Sequence, residues 1–518
     1  MGTYFSGIVL SNPTVQNPTT ITAGSYVTNQ TTAHAGDAIY GTSAAAWRLT
    51  NSGIVNGTTQ TSADGVRLVN GGTVTNVNFI AGSFDGVQVD GATASVANSG
   101  TIVATGTGFA NAVQFASGAI GTVNNTGTIQ ALGGTQALGV ALNSGGFVNN
   151  GRGGQIAASQ TGVALGGTGT GTGTLVNTGT ITQSGSGTAG VGVSLGGGGG
   201  TVVNSGIISA AAANGSAIQV GQNGGTVVNR TNGLIAAYHI GIGFFPSTAA
   251  SSGILSIVNY GTVESTQLGT TAGTGLIGVG IQGGAGSTVA VNNFGTILQL
   301  GTTSGDAVLL AAGTVVNQTG ATIDGTGGDA VVASASTGAG VTIFNSGTIR
   351  NETQSHSSVY FGRGQGFVIN YASGVILSQR SAVATGATAG PGTVVNFGTI
   401  SHTGTGTNGN AVYLGAGGTV TNYGLISGAA NGTPVANGTG GYPAVVDSHR
   451  FTTVTNFGTI TNANNSDGIN LLAGGLVING TLGGTGATIY AHHAAIYMGG
   501  TAGIPTPGAL GTIVNYGT

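Results

Sequence analysis

The sequence predicts an all-β fold, a single elongated right-handed parallel β-solenoid of about 18–19 coils of about 27 residues each. Three observations carry that prediction. One phrase recurs through the chain: an apolar residue, any residue, Asn, any residue, Gly, Thr, Ile. Glycine makes up 106 of 518 residues, so helices are nearly excluded at a cost of about 1 kcal/mol per interior Gly. Finally, short Val/Ile/Thr runs are bounded by Gly, Asn and Ser, which is the pattern of strands and turns.

The phrase reads VANSGTI at Val96 to Ile102, VNNTGTI at Val123 to Ile129, VNNFGTI at Val291 to Ile297 and VVNFGTI at Val394 to Ile400. Eighteen copies have their asparagines at Asn51, Asn76, Asn98, Asn125, Asn149, Asn177, Asn204, Asn229, Asn259, Asn293, Asn317, Asn345, Asn370, Asn396, Asn422, Asn456, Asn479 and Asn515. The 464 residues from Asn51 to Asn515 hold seventeen intervals, which gives the mean period of about 27. A period of that size marks stacked supersecondary units sharing one core. At the strand spacing of about 4.8 Å, eighteen such coils predict a rod of roughly 85 Å.

Taken in chain order, residues 1–26 lack the full phrase and are expected to form an N-terminal cap, with the repeat domain running from 27 to 518. A coil opens on a second phrase, as in DGVRL (Asp64 to Leu68), DGVQV (Asp85 to Val89), DAVLL (Asp306 to Leu310), NAVYL (Asn410 to Leu414) and DGINL (Asp467 to Leu471). A Gly-rich turn follows, then a strand ending at Asn, then a short strand and a variable loop. The position two before Asn is apolar throughout, and twelve copies carry Ile or Val four residues after it. Side chains alternate along a strand, so these positions should face inward as aliphatic rows. Asn98, Asn125, Asn177, Asn204, Asn259, Asn293, Asn345, Asn396, Asn422 and Asn456 are expected to stack as a structural ladder at a bend. Asn tolerates the left-handed or bridge conformation of a bend, and the Gly two residues on permits positive φ or close passage.

Coils of this kind resemble the passenger domains of bacterial autotransporter adhesins and haemagglutinin-type exoproteins, over about residues 27 to 518 and on the VxNxGTI phrase. The resemblance implies a right-handed parallel β-helix at, or shed from, the bacterial surface. It says little of activity, because such scaffolds carry many functions. Within residues 1–518 neither an N-terminal secretion signal nor a C-terminal membrane barrel is read, so the resemblance is not expected to carry the family's export route with it. The chain stops inside a repeat phrase, and the natural protein is expected to continue beyond Thr518.

Composition limits the chemistry. Charged residues are 4% of the chain and lysine is absent, so no basic face for nucleic acid or anionic membrane can be assembled from eight scattered arginines. Without cysteine there are no disulfides, thiolate ligands or thiol nucleophiles. No run approaches the roughly 20 apolar residues of a membrane-spanning helix. Asp37, Asp64, Asp85, Asp306, Asp329 and Asp467 share one repeat slot with Asn410, and a carboxylate that Asn can replace is expected to cap a turn. The five-residue spacings Asp85/Asp90 and Asp324/Asp329 are read as strand and turn ends rather than a glycosidase pair. VDSHR (Val446 to Arg450) reads as a polar surface loop, and His492 and His493 should point apart as strand neighbours. No catalytic, cofactor or metal constellation is expected.

The residue after the repeat Asn is often Ser or Thr early and aromatic later. Tyr371, Phe397, Tyr423 and Phe457 fall in four consecutive coils. They form either an exposed interaction stripe for sugars or another rod, or an inward aromatic stack. Long insertions at ESTQLGTTAGTG (Glu264 to Gly275) and SGAANGTPVANGTGGYP (Ser427 to Pro443) are further recognition candidates. The expected function is that of a non-catalytic secreted or cell-surface structural protein: a stiff adhesin, stalk or self-assembling filament subunit. The expected partners are a carbohydrate or host-surface ligand and other copies of the chain. Two alternatives are a polysaccharide-active β-helix lyase or hydrolase, and an ice-binding solenoid using ranks of Thr.

Overall fold

The computed structural model describes every residue except 1, 168–170, 186–188, 247–252, 267–278, 302–304, 335–339, 405–408, 429–443, 463–465, 485 and 500–509. The insertions at Glu264 to Gly275 and Ser427 to Pro443 therefore lie largely outside the described residues. The fold is an all-β solenoid whose described coils repeat three short parallel strands. These are called here the Asp strand, the Asn strand and the Ile strand, as in Val87–Val89, Thr93–Asn98 and Thr101–Ala104. Two units are distinguished, Met1–Ser256 with Tyr260–Thr262 and Ile257–Asn259 with Val263–Thr518.

In the first unit each strand type pairs in register with its counterpart in the next coil. Val87 faces Val113 and Val89 faces Phe115 in the Asp strands. Val96 faces Val123 in the Asn strands, and Ile102 faces Ile129 in the Ile strands. Alternation buries every second side chain, giving the pattern buried–half-exposed–buried in strands such as Thr101–Ala104. Trp47, Phe115 and Phe244 are its largest fully buried side chains. No single coil encloses these residues; stacking does, at about 1.5–3 kcal/mol for each fully buried Val, Ile or Phe.

Residues 1–26, expected as a cap, place one strand in each pairing set. Thr3–Tyr4 pairs with Tyr26–Thr28, Ile8–Leu10 with Ile39–Gly41, and Thr19–Ile21 with Trp47–Asn51. A single helical turn, Pro13–Gln16, interrupts this first coil, and Asn12 Oδ1 caps it by accepting the Thr14 N–H at 3.1 Å. At the ladder position of this coil stands Ile21, in register with Asn51.

The second unit repeats the scheme. Its Ile rows run Ile297, Ile323, Ile349, Ile376, Ile400, Ile426, Ile460 and Ile489, each paired with the next. At the turn entering an Asn strand, Gly417 and Gly418 adopt φ of 78° and 142°. A Cβ on Gly418 would lie 1.9 Å from the Gly392 carbonyl oxygen, so no other residue fits. The Gly after the ladder Asn is needed for close passage instead: a Cβ on Gly398 would meet the Gly374 carbonyl oxygen at 2.2 Å.

VDSHR meets the expectation of a surface loop only at His449 and Arg450, which form an exposed bend. Ala444–Ser448 is an Asp strand, with Asp447 in register between Tyr413 and Asn470. The hydrophobic pair Val445 and Val446 is fully buried and sets this register, carrying the polar residues onto the sheet.

Candidate functional site

The ladder determines where every surface group of the Asn bend sits. Asn98 Nδ2 donates to Asn125 Oδ1 at 2.8 Å, to the Gly100 carbonyl of its own coil at 3.1 Å and to the Thr128 carbonyl of the next at 3.0 Å. The same set recurs at Asn177 toward Asn204 and, in the second unit, at Asn259 toward Asn293, Asn345 toward Asn370, Asn396 toward Asn422 and Asn422 toward Asn456, each side-chain bond 2.8 Å. These amides are buried, and the chain of like bonds satisfies them without water. None of the described ladder asparagines has a positive φ, so of the two bend conformations expected the left-handed one is not used.

One ladder member differs from the sequence assignment. Asn150, not Asn149, pairs in register with Asn125 and is fully buried, whereas Asn149 lies beside Asn124 on the outside. Here the turn is two residues longer, so Ile156 follows Asn150 by six residues where Ile102 follows Asn98 by four. Asn229/Ile235, Asn317/Ile323 and Asn370/Ile376 share the longer turn. An even separation keeps the Ile on the buried face; an odd one would turn it out.

The residue after each ladder Asn is fixed by a backbone bond to the preceding Asn. Phe397 N–H donates to the Asn370 carbonyl at 2.7 Å, Tyr423 to Asn396 at 2.7 Å and Phe457 to Asn422 at 2.6 Å. The rings project outward: Tyr371, Phe397 and Tyr423 are 42%, 43% and 48% exposed, and Phe457 is half-buried. Phe397 stacks on Tyr423 at 4.8 Å between centroids and 4° between planes, and Tyr423 on Phe457 at 5.0 Å and 23°. The rings stand one strand spacing apart and form a ribbed apolar strip.

The repeated aspartates act between coils rather than within a turn. Asp37 Oδ1 accepts the Asp64 N–H at 2.8 Å, Asp64 Oδ1 the Asp85 N–H at 3.0 Å, and Asp85 Oδ1 the Asn111 N–H at 2.9 Å. Burial raises Asp37 to about 6 and Asp85 to about 7, and Asp64 well above its usual range, with its two Asp neighbours adding to the effect. The carboxylates that might have formed acid–base pairs each have their own partner. Asp90 meets Arg67 at 3.4 Å, and Asp324 meets Arg350 at 2.7 Å.

His493 Nδ1 meets Asp467 at 2.7 Å, while His492 sits edge-on to Tyr490 at 5.8 Å. Their separation comes from a bend after Thr488–Ala491, not from strand alternation. Asp447, which burial raises to about 7, lies 3.8 Å from His449, whose own pKa burial lowers. Among the described residues, no group of three or more His, Asp or Glu side chains could hold a metal ion, and no helix is long and apolar enough to cross a membrane. Columns of outward Thr are broken, as where Thr180 is followed by Ile207 and Leu234.

One feature was missed from sequence. The outward middle position of successive Asp strands reads Val332, Tyr360, Ala384, Tyr413. A cavity of about 450 Å³ opens over Ala384, lined by both tyrosines and by Asp329, His356 and Arg380. Aligning the phrases SVYF, AVAT and AVYL would have shown the column, but not that Arg380 and His356 fold over it.

Comparison with protein-family models, curated proteins and solved structures gave no match.

Proposed function

We propose that this protein is a non-catalytic adhesive structural module, secreted or displayed on a bacterial cell surface, that holds an aromatic strip rigidly toward a glycan or host surface. The observation that carries this reading is the stack Phe397–Tyr423–Phe457, two of its rings exposed and the third half-buried although the backbone is tied to the buried ladder. Leaving such rings in water is unfavourable, and contiguous exposed apolar surface marks interaction sites. With charge so sparse, adhesion would rest on ring faces rather than on electrostatic attraction, and it should persist at high salt.

The test is retention of the chain on surfaces coated with polysaccharides or host-cell glycoproteins, at low and high salt. A variant with Tyr371, Phe397, Tyr423 and Phe457 all changed to Ser should lose retention while keeping its melting behaviour. Electron microscopy of the same preparations separates the alternatives. Long fibres that the variant cannot form would make the strip a joint between copies and the protein a filament subunit. New reducing ends or unsaturated products from a polysaccharide would overturn the non-catalytic reading.

A further inference from the structure

The cavity over Ala384 is separate from the aromatic strip. It lies on the outer face of the Asp strands, whereas the strip lies at the Asn bend. Tyr360, Ala384 and Tyr413 occupy the same position in three successive coils, so the tyrosines stand two strand spacings apart, roughly 9.6 Å. Tyr360 leans toward the next coil, its hydroxyl 3.2 Å from where a Cβ on Gly386 would stand, and Ala384 beneath is buried. Where every coil carries a ring, as at Phe397, Tyr423 and Phe457, that gap is filled by the protein itself. Here it is open.

The rims are polar, and their groups are held. Asp329 Oδ1 accepts the Ser357 N–H, and its other oxygen lies 4.0 Å from His356 Nδ1. Arg380 Nη1 donates to the Ser355 carbonyl at 2.6 Å, which fixes a guanidinium with further donors beside the cavity. Ser355, Ser357, Ser381 and Thr385 add hydroxyl and backbone groups. Burial raises the Asp329 pKa, while the Ser357 N–H, His356 and Arg380 act against that rise. A volume near 450 Å³ falls within the roughly 300–1,000 Å³ of small-ligand sites.

We propose that this cavity binds a single sugar unit, its apolar face against the Tyr360 and Tyr413 rings and its hydroxyls on Arg380, Asp329 and His356. Apolar faces at two walls and fixed donors and acceptors at the edge match a hydroxylated pyranose better than a purely aromatic or purely charged ligand. The site recognises a terminal or monomeric sugar, where the strip of the proposed adhesive function meets an extended surface.

The experiment uses the full chain with glucose, galactose, mannose, N-acetylglucosamine and glucuronate, and with p-cresol as a ring lacking the hydroxyl pattern. Saturation-transfer NMR and titration calorimetry read binding. At least one sugar should bind with a millimolar or tighter dissociation constant. Tyr413→Ala and Arg380→Lys should each weaken it by tenfold or more. Ala384→Tyr, which keeps every polar group and drives a ring into the cavity, should abolish it, and Arg380→Lys on the exposed rim gives the readout that does not depend on repacking the buried Ala384. The proposal is overturned if no sugar binds the native chain, if Ala384→Tyr binds as the native chain does, or if p-cresol binds and the sugars do not. Binding lost only in the four-residue strip variant would also overturn it, while leaving the adhesive reading intact.

Discussion

Replacing Asn150 by Ala, with Asn149→Ala as its neighbour control, tests the ladder most directly. The Asn150 amide donates to Asn177 Oδ1 at 2.8 Å and to the Gly154 and Thr180 carbonyls at 3.2 Å each, and its oxygen accepts Asn125 Nδ2 at 2.8 Å. Truncation leaves Asn125 with the Gly127 and Gln155 carbonyls, so that donor remains satisfied. The buried Asn177 oxygen loses its donor, while the part-buried Thr180 carbonyl keeps its place in the strand ladder beside Gln155–Ala158. Leaving that one buried oxygen unpaired costs about 1–3 kcal/mol. Asn149 makes only a 3.4 Å bond to Asn124 on the outside, and its truncation should cost less than about 0.5 kcal/mol. Urea unfolding gives the global difference. Because coils couple to their nearest neighbours, amide exchange at Gly151, Thr178 and Gly179, which donate to ladder carbonyls, reads the local one. Equal effects of the two substitutions, or a larger effect at Asn149, would refute the register and the energetic account together.

Other outcomes follow from the same geometry. Asp37, Asp85, Asp306 and Asp447 are raised to about 6, 7, 7 and 7 from an ordinary 3.8, chiefly by burial, so folding favours their protonated form. That stability is fully present below about pH 4 and is lost as pH rises through 6 to 7. His402 and His449, lowered by burial, oppose it below about pH 6.5. Asp85→Asn, matching the Asn that occupies this slot at Asn111, should flatten the fall in melting temperature between pH 5 and 8; identical profiles would refute the assignment. Arg350→Ala strips the buried Asp324 carboxylate of its 2.7 Å partner and should cost about 1–2 kcal/mol by urea unfolding, the exposure of Arg350 limiting the effect. Changing Gly418 to Ala, which forces a Cβ onto the Gly392 carbonyl, should lower stability by more than the roughly 1 kcal/mol of an ordinary Gly replacement, whereas the same change at Gly108, which has open space and no positive φ, should be mild in thermal melts.

The period, the three-strand coil and the inward Val, Ile and Asn rows were legible in the sequence, because each depends on spacing alone and spacing repeats. Alternation dictates the face of a residue once its strand is known, and Val96, Asn98 and Ile102 obey it without knowledge of any partner. What pairing decided was phase and neighbourhood. Phe147 and Val148 are both apolar, so either Asn149 or Asn150 satisfied the phrase; only register with Asn125 put Asn150 inside and left Phe147 exposed. VDSHR looked like a loop because polar residues dominate it, yet burial of Val445 and Val446 makes its first three residues strand and leaves only His449 and Arg450 in an exposed bend. The Asp slot was visible, but not that each carboxylate accepts the N–H of the next coil, since that bond joins residues 21 to 28 positions apart. The cavity was likewise hidden: Tyr360 and Tyr413 lie 53 positions apart in sequence, and only the stacking of coils sets them across one small Ala384. Sequence alone determined the repeat, since local spacing suffices for it. Tertiary structure decided which surface groups meet, since in a solenoid neighbours in space are a full coil apart along the chain.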